Sequence, residues 1–316
     1  MMRINGICIV KDEDDIIGDV LIDASKWADR IFVADNGSKD NTVEAILTAV
    51  KHKKNIQYLG VFDEPFTDAI RGKLFNCVSN VSEPGDWWCR LDADEFYIDD
   101  PRDFLARVPL DVDNVWGASY QFYFTDIDYI KCQSDSGDFI GTPLEHRFAY
   151  YLNNWSEPRF AKHTTYFNWP INSAWPLYMV SCADKRIRLR TYQHRSPEQI
   201  VKRLEIRNEV LARTDGQIFS HILNNEQSNE LKQKIGVNEP ETSNQVDFKQ
   251  VIKDHSCLDN LASNGVYIAR EDLMPALPTR NPMIPSSILY HIERSKVSVK
   301  QFAKKQLLLS QVEENY

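Results

Sequence analysis

The stretch Gly85-Asp86-Trp87-Trp88-Cys89-Arg90-Leu91-Asp92-Ala93-Asp94-Glu95-Phe96 decides how the rest of the chain reads. Trp87 to Leu91 is an apolar run of strand length that ends directly on two carboxylates one residue apart. An apolar run of this kind belongs inside a sheet covered on both faces. Asp92 and Asp94 at its end call for positive charge between them, because a buried acid is costly without a partner. A hard divalent cation that also accepts phosphate oxygens meets that need. The competing reading is an acidic turn in water, since Asp99, Asp100 and Asp103 follow closely.

Upstream of this stretch, strand and helix patterns alternate. Ile7-Cys8-Ile9-Val10 reads as a buried strand, and Ile16 to Trp27 as a helix with Ile16, Ile17, Val20, Leu21, Ala24 and Trp27 on one face. Arg30 to Ala34 is a second strand, Val43 to Val50 a second helix and Ile56 to Leu59 a third strand. A longer helix runs roughly from Asp68 to Val81, which makes Trp87–Leu91 the fourth strand. The alternation predicts an α/β fold with a mostly parallel sheet flanked by helices and right-handed crossovers. Ligands then bind outside the carboxyl ends of the strands, where Lys11-Asp12-Glu13, Asp35-Asn36-Gly37-Ser38 and Asp92-Ala93-Asp94 fall.

Residues 111–190 change character, to aromatic-rich strands and long polar loops. Ser196-Pro197-Glu198-Gln199 then opens a helix as a capping box. Pro275, Pro278, Pro282 and Pro285 form a connector, and Ser286 to Val312 reads as a last helix bearing Lys296, Lys300, Lys304 and Lys305. The expected division is 1–110 for the parallel half, 111–215 for the mixed half, and 216–316 for a mainly helical C-terminal extension.

The chain has 316 residues, 42% of them apolar, enough for a substantial core. A net charge of −9 argues against general binding of nucleic acid, so none is expected as a partner. The opening apolar run is too short for a membrane span and lacks a cleavage site. The six cysteines include no Cys-x-x-Cys pair and read as buried thiols of a reducing compartment, so a cytoplasmic location is expected. Lys296 to Lys305 beside Leu307-Leu308-Leu309 also suggest peripheral membrane contact at the inner face, against the alternative of a packed helix.

Val10-Lys11-Asp12-Glu13, Trp27 to Thr42 and Gly85 to Phe96, in that order and spacing, resemble the family 2 glycosyltransferases. The resemblance is specific over residues 4–97. It implies the GT-A fold, an inverting mechanism, a nucleoside-diphosphate sugar as donor (UDP-linked in the first instance) and Mn2+ or Mg2+ as cofactor. By the same resemblance Asp35 contacts the nucleobase, Asp92 the ribose or the metal shell, Asp94 ligates the metal, and Arg71 lies near the base or diphosphate. Asp12 stands where the family has Asn, and Asn36 where it has a second Asp, which leaves base selectivity open.

His194, just before the capped helix, is the candidate third metal ligand, with His163 its competitor; Arg195 is expected to face the diphosphate. Residues 184–213 hold nine Lys/Arg against four Asp/Glu, and a surface helix with a structural histidine is the alternative. Inverting transfer needs a carboxylate base. Asp126, Asp128, Asp138, Glu145 and Glu157 are candidates, and Glu157 is favoured because Trp155 beside it could stack on a sugar. The acceptor is a hydroxyl of a glycan, lipid-linked sugar or protein. The other readings are a catalytically silent carbohydrate-binding or scaffold protein, and a sugar-phosphate nucleotidyltransferase. The latter is disfavoured by the acids of Lys11-Asp12-Glu13-Asp14-Asp15, where a glycine-rich phosphate loop would stand.

Overall fold

Alternate residues of the first strand are buried on opposite sides of the sheet, which is why it reads as an unbroken apolar run. Ile7 and Ile9 pack in one core cluster with Phe32, Leu74, Phe75 and Trp88. Cys8 and Val10 pack in the other, with Ile17, Leu21, Val33 and Ile46. The structure is a computed structural model and describes residues 2–171, 173–177, 179–213, 248–261 and 265–278.

The first half is a strand–helix alternation: β1 (Ile4–Val10), α1 (Ile17–Ala24), β2 (Arg30–Asp35), α2 (Thr42–His52), β3 (Ile56–Val61), α3 (Ile70–Val78) and β4 (Trp87–Leu91). These four strands are parallel in the order β3-β2-β1-β4. Each expected strand and helix of this half is present. The expected long helix ends at Val78 and tightens into a 3₁₀ turn over Ser79–Val81.

After β4 the chain makes β5 (Glu95–Tyr97), α4 (Pro101–Ala106) and β6 (Asn114–Phe122). Three short helices follow, α5 (Asp126–Ser134), α6 (Ser136–Gly141) and α7 (Leu144–Arg147), where loops were expected. Thr125 and Asp128 close a capping box that starts α5, and Asp135 caps α6. Then come β7 (Tyr150–Trp155), β8 (Pro158–Lys162), β9 (Ile187–Thr191), α8 (Pro197–Arg213) and β10 (Asp259–Asn260).

β7 and β8 run one after the other, antiparallel to β6, with Ser119 opposite Trp155 and Trp116 opposite Pro158. β8 also pairs antiparallel with β4, so one sheet is continuous across the expected boundary at residue 110. β9 lies parallel to β6 and pairs with β5. The fold class is the expected one, a parallel half joined to a mixed half with helices on its faces. The described part of the C-terminal extension consists of 3₁₀ turns and β10. The expected helix over 286–312, with its lysines, lies outside the described residues. No helix among the described residues is long and apolar enough to cross a membrane.

Candidate active site

A cleft of about 510 Å3 opens at the carboxyl ends of β1 and β4. That volume falls within the roughly 300–1,000 Å3 usual for small-molecule sites. Its far wall is built by strand periodicity, since every second side chain of a strand faces the same way. The row Trp155, Glu157 and Arg159 comes from the β7–β8 line, Ser119 and Gln121 from β6, and Thr191 and Gln193 from the end of β9. Gly117 leaves room for this arrangement. A β-carbon there would stand 2.9 Å from Arg159 Cγ and 2.6 Å from Leu189 Cδ2.

Arg159 is almost fully buried and holds three carboxylates together. It donates to Asp92 at 2.8 Å and to Glu95, and pairs with Glu157 at 2.9 Å. Arg71, also buried, donates to Asp92 and Asp68. Arg90 is held more loosely, with Asp68, Asp92 and Glu157 all at 3.4 Å, and its guanidinium lies 4.3 Å from the centre of the Trp175 ring. Burial alone would raise the Asp92 pKa, but Arg90, Arg71 and Arg159 outweigh it and hold this carboxyl well below the usual range. Glu95 goes the other way. Burial raises it, and the nearby Asp92 and Asp94 add to the shift, so it stands well above the usual range despite Arg159.

The two expected metal-binding aspartates therefore have different surroundings. Both oxygens of Asp92 are taken by guanidinium groups. Asp94 faces Arg203 of α8 at 3.7 Å, beyond hydrogen-bond distance, so its oxygens stay open as acceptors on the cleft. His194 is buried, and its Nε2 has no hydrogen-bond partner. Burial first, then Arg203, Arg207 and Lys253, push its pKa well below the usual value, so the imidazole is neutral. An open carboxylate and a neutral imidazole with a free nitrogen are the donor types a Mn2+ or Mg2+ site uses. His194 lines a small cavity beside the main cleft, and the two share Gln121 and Gln193. The ligand atoms of Asp92, Asp94 and His194 are not gathered within 4.8 Å of one another. Asp94 lines the main cleft and His194 the small cavity beside it, while Asp92 serves the guanidinium groups. The rival His163 hydrogen-bonds Ser82 Oγ at 2.5 Å and stacks on Phe167, outside the cleft lining.

Solved structures that resemble this chain include a mannosyltransferase from Pyrobaculum calidifontis in complex with GDP-Man and Mn2+. It is 11% identical, with 75% of this chain and 76% of that chain covered and a TM-score of 0.37. Another is glucosyl-3-phosphoglycerate synthase from Mycobacterium tuberculosis in complex with Mn2+, UDP-glucose and phosphoglyceric acid. It is 14% identical, the match covers 51% of this chain and 57% of the synthase chain, and the TM-score is 0.30. Neither a protein-family model nor a curated protein matches the sequence. The likeness is one of fold. The chemistry has to be read from the side chains themselves.

Asp12 lines the cleft with a left-handed backbone, φ 51°, which aspartate tolerates better than most residues. Its carboxylate accepts from the Lys39 amide, fixing the β1 loop to the β2 loop. Asp35 ends β2. Its Oδ2 accepts from the Gly37 and Ser38 amides, while its buried Oδ1 has no partner, an acceptor of the kind a ring N–H would satisfy. Arg71 lines the cleft as expected.

Arg195 is a correction to the sequence reading. It is fully buried and absent from the cleft wall, because Glu13, Asp15 and the Tyr192 carbonyl take up its guanidinium. Among the candidate bases only Glu157 faces the cleft. Asp126 pairs with His255, Asp128 caps α5, and Asp138 and Glu145 sit on the exposed helices α6 and α7. Arg90, Arg159 and Arg203 were missed by the sequence reading. The signals available were the two-residue spacing of Arg159 from Glu157 and, for Arg203, the excess of cations over residues 184–213.

Proposed function

We propose that this chain is an inverting, metal-dependent glycosyltransferase that moves a sugar from a nucleoside diphosphate, in the first instance UDP, to a hydroxyl acceptor. The observation that carries the reading is the open carboxylate of Asp94 at the end of β4, in one cleft with the cations Arg71 and Arg203. Two residues of that cleft wall, Arg71 and Arg203, each keep a buried Nε without a partner. Buried polar groups are normally satisfied, so unpaired donors on a cleft wall support a polar, acceptor-rich ligand.

Asp94 and His194 would hold the divalent ion, which when bound neutralises charge developing on the leaving diphosphate. Arg71 and Arg203 place two further cations beside the same group. Asp35 accepts from the base through its free oxygen, and Asp12 keeps the β1 loop in register with it. On the opposite wall Glu157 takes the proton of the acceptor hydroxyl. The hydroxyl oxygen attacks the anomeric carbon as the bond to the β-phosphate oxygen breaks, and the nucleoside diphosphate leaves. Arg159 and Arg90 fix the Glu157 carboxylate for that step.

The test is a thermal-shift comparison of UDP, GDP, TDP and CMP, each with and without Mn2+, on the wild type and Asp94→Ala. A ligand at about 100 times its Kd stabilises by roughly 2.7 kcal/mol, which a melting curve resolves. The expected outcome is one nucleoside diphosphate that stabilises only with metal, and loses that effect in Asp94→Ala. No shift with any nucleotide, or an equal shift in the variant, would overturn the proposal.

A further inference from the structure

Three tryptophans sit on the acceptor half of the molecule near the cleft, and their surroundings separate them. Trp169 is buried, stacked on Phe75 in the core beneath α3. Trp175 carries the Arg90 guanidinium on its face. Trp155 lines the cleft and is 51% exposed. A large aromatic surface left in water at the mouth of a polar cleft forgoes the burial that usually fixes such residues.

Its neighbours say what it would take. Trp155, at the end of β7, and Glu157, in the link to β8, line the same cleft two residues apart. Ser119 stands directly across from Trp155 on β6, and Gln121 follows it on the same wall. A flat apolar face beside a carboxylate, an amide and a hydroxyl matches a pyranose, which offers a C–H face to stack and a rim of hydroxyls to hydrogen-bond. An alkyl chain would offer the carboxylate and the amide no hydrogen bond.

We infer that the acceptor is a saccharide, whose ring stacks on Trp155 so that one of its hydroxyls reaches Glu157. This deepens the transferase reading and rests on it for the role of Glu157. The stacking surface itself does not depend on metal or donor.

Saturation-transfer NMR on the full chain tests it, using methyl glycosides of glucose, galactose, mannose and N-acetylglucosamine, with and without UDP and Mn2+. At least one glycoside is expected to give transfer to its ring C–H protons. Trp155→Ala should weaken its binding roughly tenfold, while Trp155→Phe keeps most of it. Stabilisation by the nucleoside diphosphate and metal should be the same in both variants, because Trp155 lies on the acceptor wall. Two results overturn the inference: no glycoside signal under any condition, or a signal that survives Trp155→Ala unchanged. The failure of the transferase reading looks different, since the nucleotide then fails to stabilise the wild type whatever the glycosides do.

Discussion

Replacing Arg159 by methionine should unfold the protein at a markedly lower temperature. The side chain is 2% exposed and is shared by Asp92, Glu95 and Glu157. Methionine keeps much of the volume but none of the charge, so three carboxylates remain with Arg71 and Arg90 alone to offset them. Removing one partner of a buried ion pair costs about 3–5 kcal/mol. For a chain of this size each kcal/mol moves the melting temperature by about 2–4 °C, so the loss should be roughly 6–20 °C. Differential scanning calorimetry at neutral pH reads it directly. Arg159→Lys keeps the charge but cannot span three carboxylates with one ammonium, and should fall between the two. A variant Arg159→Met that melts within about 2 °C of the wild type would refute the assigned network, since no buried cation of this kind is lost so cheaply.

Two further perturbations separate chemistry from stability. Glu157→Gln should cut transfer at saturating substrates by about 100- to 10,000-fold and leave metal-dependent nucleotide stabilisation intact; transfer at the wild-type rate would remove Glu157 from the reaction. Asp86 accepts from the Arg3 amide at 3.0 Å, its Nε at 2.9 Å and the Glu83 amide at 3.0 Å. Burial opposes the shift, but these bonds outweigh it and lower its pKa. Its contribution is therefore complete above the usual carboxylate value, near pH 4, and is lost as the pH falls through the lowered folded-state value. Asp86→Asn should cost about 1.5–3 kcal/mol in urea unfolding at pH 7 and less at pH 3; a gap that did not narrow in acid would contradict this.

The parallel half was legible because its strands are buried on both faces, and each ends in a turn whose residues have few other uses. Ile7–Val10 and Trp87–Leu91 read as strands for that reason, and β1 extends the first of them back to Ile4. The mixed half was not legible in the same way. Residues 126–147 carry no helical stripe, and α5 has only Asp128 and Cys132 buried, so its capping box was the sole signal. The acids at strand ends were found because a carboxylate after an apolar run is out of place. Arg159 was missed for the opposite reason. An arginine between Pro158 and Phe160 looks like one on an edge strand, and only the three-dimensional approach of Gly117 lets it cross to Asp92. Arg195 misled because its sequence neighbours, His194 and the helix cap, suggested a phosphate, whereas its partners Glu13 and Asp15 lie some 180 residues earlier in the chain.

The composite line of β7 and β8 carries the stacking face, the base and its guanidinium at positions 155, 157 and 159. Between Leu152, opposite Gln121, and Trp155, opposite Ser119, β7 carries one residue more than β6, so an irregularity in the pairing sets which way Trp155 faces. A one-residue change in that line can therefore be taken up at such an irregularity, whereas one between 155 and 159 would part the stacking face from the base and its guanidinium.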